Sequence, residues 1–209
     1  MIALDNISKK YKDNIIFEHV NVSFPANSAC HIKGTNGSGK SVLMKMIAGY
    51  SLPDEGAVTA DGIRIGIDRD FLPDAGVMIN TPDFIRNENG FENLKELAAM
   101  RKKCTAEDIL KYAHILCFEN DIHKKYRTYS TGMKQKLRLI QALMEKPKYL
   151  LLDEPFDGLD TEAKNIVKKL LEDYLIIEGN TLIYTNHEED ISLENETVYV
   201  IRNHQILTE

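Results

Sequence analysis

The sequence predicts an α/β fold with a mainly helical insertion, on three observations. Short apolar stretches alternate with turns through the first third of the chain. The middle third is helical in pattern, from Phe91 to about Glu119 and again from Ser130 to about Glu145. The final third returns to alternating strand and helix. Strands that alternate with helices build a sheet covered by helices, and a helical run set between them reads as an insertion.

The elements follow in order. Ile15-Ile16-Phe17 and Val20-Asn21-Val22-Ser23-Phe24 read as strands, broken by Pro25-Ala26-Asn27. Ala29-Cys30-His31-Ile32 reads as a short buried strand running into a glycine-rich segment. Residues 42–48, VLMKMIA, have helical character and stop at Gly49. SLPDEGAVTADG, residues 51–62, carries several turn signals, and Ile63-Arg64-Ile65-Gly66-Ile67 is strand-like. ENLKELAAMRKK and TAEDILKYAHILCF read as helices, the second opened by Thr105 and Asp108 as a capping box with Asp in place of the usual Glu. YLLLD, TEAKNIVKKLLEDYL and TLIYT then read as strand, helix and strand, and VYVIRNHQIL as a hairpin. No internal repeat and no low-complexity linker interrupts this order.

Composition narrows the function classes. The 209 residues suffice for one domain with a substantial core, or one domain with a subdomain. Hydrophobic residues at 43% and charged residues at 28% are ordinary for a soluble globular protein. A net charge of −6 gives no support to nucleic-acid binding. The short basic clusters at Arg101-Lys102-Lys103 and Lys124-Lys125 read as solvated faces. Cys30, Cys104 and Cys117 are far apart and form no CxxC, which argues against a zinc site or disulfide framework and fits a reducing cytoplasm. No apolar run approaches the ~18 residues that span a bilayer. MIALDNISKKY lacks the apolar core of a signal peptide. The expected location is the cytosol, with membrane association only through a partner.

Four motifs carry chemistry. GTNGSGKS, residues 34–41, fits G-x-x-x-x-G-K-[ST] between a strand and a helix. Gly34, Gly37 and Gly39 let the backbone turn tightly and aim its N–H groups at phosphate oxygens, and the helix beginning near Lys40 adds its positive dipole end. Lys40 can reach the β- and γ-phosphates, and Ser41 can ligate Mg²⁺. YLLLDEP puts Asp153 at the C-terminal end of a buried strand, where open α/β sheets bind ligands. Asp153 suits the Mg²⁺ shell, directly or through water, and Glu154 suits polarising a water at the γ-phosphate. A plain solvated strand end is the alternative for both acids. TLIYTNH ends another buried strand at His187, which could hydrogen-bond the γ-phosphate and hold Glu154 and a water in line. YSTGM, residues 129–133, opens a helix at Ser130. That serine suits an N-cap, and the bare N–H groups beyond it and Gly132 suit an anion. Set at the far end of a helical insertion, it is better suited to a γ-phosphate held by another subunit.

The order and spacing of these motifs resemble the ATP-binding-cassette (ABC) ATPases over nearly the whole chain. YSTGMKQKL resembles the YSxGMKQ form of exporter ATPases in the bacitracin-resistance and lantibiotic-immunity group, and INTP at 79–82 is similar to that group's I-E-x-P segment. The resemblance implies a P-loop NTPase ABC ATPase fold: a RecA-like core with an antiparallel β-subdomain, about 1–80 and 146–209, and a helical subdomain with the signature, about 81–145. It implies that Tyr11 stacks on adenine. Gly34, Thr35, Asn36, Gly37, Ser38, Gly39, Lys40, Ser41 and Val42 would hold the phosphates, with ATP and Mg²⁺ bound. Ser130, Thr131 and Gly132 would contact the γ-phosphate on an opposite subunit, and Asp160 would cross the dimer interface. Glu154 would be the general base and His187 the switch; Ser41, Asn80 and Asp153 would serve the metal.

Three departures stand out. Asn80 occupies the place of the usual Gln or Glu, one methylene shorter than Gln. YSTGM replaces LSGGQ. The tail after His187 is short, which leads us to expect a minimal cassette without an appended domain. The function implied is the ATP-hydrolysing subunit of a transporter, with a separate membrane permease and, in the ATP-bound state, a second ATPase subunit as partners, the last either an identical chain in a homodimer or a related paralogue. The cargo would be an exported peptide, antibiotic or other small amphipathic molecule. The permease contact would include the helical insertion and the Asn80 loop, where Phe84, Ile85 and Phe91 could meet a permease helix or be buried. A soluble ABC ATPase of iron–sulfur assembly type, or a nucleotide-binding regulatory module, are the other readings.

Overall fold

The computed structural model describes residues 1–79, 84–187 and 191–209. The described residues hold ten strands in two sheets. Strands β1 (Ile2–Tyr11), β2 (Asn14–Phe24), β4 (Glu55–Ala60) and β5 (Ile63–Arg64) form an antiparallel sheet in the order β2-β1-β4-β5. Strands β3 (Ser28–Lys33), β6 (Ala75–Met78), β7 (Tyr149–Leu152), β8 (Thr181–Thr185), β9 (Thr197–Arg202) and β10 (Gln205–Thr208) form the second, in the order β10-β9-β3-β8-β7-β6.

In the second sheet every neighbouring pair is parallel except the terminal hairpin β9–β10. That sheet positions the site. Ser28 pairs with Thr181 and Ile32 with Thr185, and Leu152 pairs with Tyr184 on the other flank of β8. With strands running the same way, the loops after β3, β7 and β8 leave along one edge. β7 reads as an unbroken apolar run because all four of its residues are buried, as expected for a parallel strand covered on both faces.

Helix α1 (Lys40–Ala48) follows the glycine-rich loop and ends at Gly49 in the left-handed conformation, as its sequence predicts. The insertion contains α2 (Gly90–Arg101), α3 (Ala106–Ile115) and α4 (Thr131–Leu143). Lys102, at φ 54°, separates the first two, so ENLKELAAMRKK ends at Arg101, short of its expected end at Lys103. Both halves of the Thr105–Asp108 capping box are present. α5 (Thr161–Leu175) coincides with TEAKNIVKKLLEDYL. One apolar cluster joins the insertion, α5 and one face of the parallel sheet; a second joins the other face, α1 and the antiparallel sheet.

Several elements correct the sequence expectations. β2 is continuous from Asn14 rather than two strands. SLPDEGAVTADG carries several turn signals, yet within it Glu55–Ala60 pairs with β1 from Ile2↔Ala60 to Ser8↔Glu55. The strand expected over 63–67 stops at Arg64, where Asp68 hydrogen-bonds both the Arg64 amide and its guanidinium and closes a turn. β1 and β6 had no expectation. In β1, register shifts against β2 and a left-handed Asn6 break the alternation that marks a strand in sequence. Phe84 is buried and packs edge-on against Tyr126, while Ile85 is exposed and Phe91 is partly buried beside His123. Among the described residues no helix is long and apolar enough to cross a membrane.

Candidate functional site

The glycine-rich loop leaves β3 and wraps the end of the Lys40 side chain. The Lys40 ammonium donates to the carbonyl oxygens of Gly34 at 2.8 Å and Thr35 at 3.3 Å. Burial lowers its pKa, and the nearby Glu154 and Asp153 carboxylates push the other way. Gly39, just before it, has φ 110°, and a β-carbon there would lie 2.7 Å from Ile16 and 2.9 Å from Phe17. Glycine is required at that position on both counts. Ser38 Oγ is buried without a hydrogen-bond partner in the same loop. A cleft of about 410 Å³ runs along the loop's flank, between Gly34–Ser38 and the β9–β10 turn. A cation held only by carbonyl oxygens, an orphaned hydroxyl and a glycine-rich backbone are the features that a phosphate ester would satisfy.

Next to the loop, Ser41 Oγ donates to Asp153 Oδ2 at 2.8 Å. Among the described residues no group of three or more His, Cys, Asp or Glu could hold a metal. The Ser41 hydroxyl and Asp153 carboxylate fit a hard cation that would also take waters and substrate oxygens, which is how Mg²⁺ is usually held. Asn80 lies outside the described residues.

Glu154 follows Asp153 with φ 55°, a left-handed conformation that costs a residue with a β-carbon about 1–2 kcal/mol. Its carboxylate Oε1 lies 2.8 Å from His187 Nε2, and both side chains remain partly open to solvent. Tertiary structure brings this pair together from the ends of β7 and β8. Two further residues hold the arrangement, and sequence reasoning assigned neither a role. Thr185 Oγ1 accepts from the Glu154 amide at 2.9 Å and donates to Asp153 Oδ1 at 2.8 Å, fully buried. Gln135, on α4, donates to the Glu154 carbonyl at 2.7 Å. Both lay in quoted stretches, Thr185 closing the strand TLIYT and Gln135 closing YSxGMKQ, but only the tertiary structure brings them to Glu154.

The remaining candidates sit apart from this cluster. Tyr11 is 48% exposed, with the Lys9 ammonium 5.2 Å from its ring centre, so one face of an aromatic ring is offered to solvent at the end of β1. Ser130 caps α4 by accepting from the Met133 amide at 3.2 Å, and Ser130 and Thr131 are exposed. Thr131 is accommodated by Gly158: a β-carbon on Gly158, at φ 69°, would meet the Thr131 methyl at 2.6 Å. The stretch 130–132 and residues 156–160, FDGLD, therefore pack together within the chain. Asp160 caps α5 by accepting from the Ala163 amide at 2.8 Å.

Comparison with known proteins identifies the family. The family model described as "ABC transporter" matches residues 17–157. The ATP-binding protein YybJ of Bacillus subtilis (strain 168), an uncharacterized ABC transporter protein, is 32% identical over 91% of this chain and 88% of its own length. The bacitracin transport ATP-binding protein BcrA of Enterococcus faecalis is 30% identical over 90% of this chain, which spans 61% of the BcrA length. The dimeric structure of MJ0796, a bacterial ABC transporter cassette, superposes with a TM-score of 0.88 at 22% identity, covering 100% of this chain and 98% of that one. The fold is thus that of an ABC cassette. The chain belongs to the ABC transporter family.

Proposed function

We propose that the chain is the ATP-binding and ATP-hydrolysing subunit of an ABC transporter. One observation carries this reading: the parallel sheet gathers Lys40, Ser41, Asp153, Glu154 and His187 along one edge, with the Ser41–Asp153 and Glu154–His187 pairs each at 2.8 Å. Gly34 to Val42 cradle the phosphates of ATP, and Tyr11 stacks on adenine. Ser41, Asp153 and Asn80 hold Mg²⁺, which when bound neutralises phosphate charge. Glu154 accepts the proton of the attacking water while His187 orients it, and Lys40 with the loop amides stabilises the developing charge.

Ser130, Thr131 and Gly132 act in trans, on the γ-phosphate of ATP held by a second cassette, and Asp160 crosses that interface. The 81–145 insertion, with exposed Ile85 and the Asn80 loop, meets a separate membrane permease on the cytoplasmic face. The bacitracin transport relative supports transport of a peptide, antibiotic or small amphipathic molecule over the iron–sulfur assembly reading, and we take the direction to be export.

The experiment is size-exclusion chromatography of Glu154→Gln with Mg-ATP, alone and combined with Ser130→Arg. We expect an ATP-dependent dimer from the single variant and a monomer from the double. A single variant that binds ATP yet stays monomeric would overturn the homodimer.

A further inference from the structure

Gln135 lies one turn beyond Ser130-Thr131-Gly132 on α4 and is only 5% exposed. Its Nε2 donates to the Glu154 carbonyl at 2.7 Å, and its Oε1 accepts from Arg138 Nη1 at 3.4 Å. The chemistry fixes the amide's orientation, since a carbonyl needs a donor and a guanidinium needs an acceptor. The other end of the Glu154 residue is held by Thr185, which accepts its amide N–H. Glu154 is therefore gripped on one side by the strand leading to His187 and on the other by the helix that begins at Ser130. Its left-handed backbone is a conformation that persists only when neighbours enforce it, so the carboxylate's aim depends on both grips.

We propose that Gln135 is a positioning residue that couples the signature helix to Glu154 of the same chain. This rests on the paired-cassette reading, in which Ser130–Gly132 face the nucleotide of the partner while Glu154 serves the chain's own. Under that arrangement α4 joins two different ATP sites. Seating a γ-phosphate at its N-terminus in one site shifts or steadies the base of the other, through a single hydrogen bond. Arg138 keeps the donor turned toward Glu154.

The test compares Gln135→Met, which keeps length without a donor, with Gln135→Lys, which restores a donor. Three quantities are read: turnover against ATP concentration, nucleotide affinity, and amide hydrogen exchange over 153–157 in the nucleotide-free protein. We expect Gln135→Met to lower kcat roughly ten- to hundredfold. Its nucleotide affinity stays unchanged, its Hill coefficient falls toward one, and its exchange over 153–157 quickens. Gln135→Lys recovers the slow exchange and most of the turnover. Wild-type exchange or wild-type kcat and Hill coefficient in Gln135→Met would overturn the proposal. So would an equal loss in Gln135→Lys, which would make the role one of packing. If the wild-type protein neither hydrolyses ATP nor dimerises, the paired-cassette reading fails and the coupling with it. The exchange measurement still decides whether Gln135 holds Glu154.

Discussion

Thr185 concentrates more of the site on one atom than any residue singled out in the sequence. Its hydroxyl serves Asp153 as donor and Glu154 as acceptor, in a position with no solvent exposure. Replacing it with valine keeps the shape and removes both bonds, leaving a buried amide and a carboxylate oxygen short of a partner. Such a loss costs about 1–3 kcal/mol. We expect Thr185→Val to lower the unfolding free energy by that amount and to depress kcat more than it raises KM for ATP. Steady-state kinetics beside equilibrium unfolding separates the two effects. Cys30 is a contrasting residue. It is buried, and desolvation lifts its thiol to about 11, so it is a packing residue and not a nucleophile.

Among the elements, α3 shows how closely local chemistry sets a boundary. The Thr105 hydroxyl accepts from the Asp108 amide at 3.3 Å, and the Asp108 carboxylate accepts from the Thr105 amide at 3.0 Å. The Lys146 ammonium, 2.7 Å from Asp108, joins the cap to the far end of α4, and with the Thr105 amide it holds the carboxyl down at about 2. Thr105→Ala removes one half of the box. An N-cap of this kind is worth about 1 kcal/mol, so the unfolding free energy from denaturant titration falls by that much, with the m-value unchanged. The cap was readable as a T-x-x-D pattern. A break ahead of Thr105 was readable with it; its placement at Lys102 was not, because lysine has no sequence preference for the left-handed conformation it adopts there.

At the scale of the whole molecule, Asp61 ties the antiparallel sheet to the parallel one. Its carboxylate accepts from the Lys148 ammonium at 2.5 Å and the Tyr149 hydroxyl at 2.6 Å. Hydrogen bonds from Lys148, the amino terminus and Tyr149 hold the carboxyl well below the usual carboxylate range. A depressed acid stabilises the fold at pH values above its unfolded pKa of about 4, and that contribution is lost as pH falls through the lower folded value. Asp61→Asn therefore reduces stability at neutral pH and flattens its decline below about pH 4. Urea midpoints measured from pH 7 down to pH 3 check the slope. Asp61 is partly exposed, so salt diminishes the effect.

What the sequence determined by itself is the chemistry-bearing loops and the helices with strong local signals. GTNGSGKS needs its glycines to turn, α5 coincides with its apolar period, and YLLLD announces a buried strand end; each is set within a few residues. The tertiary structure decided the rest. β1 and β4 are strands because they pair with each other, against bulged and turn-rich local sequence. Glu154 meets His187 because β7 and β8 lie side by side with their ends in register, and Gln135 reaches Glu154 only because α4 packs there. Those contacts join residues far apart in the chain, where local propensity carries no information.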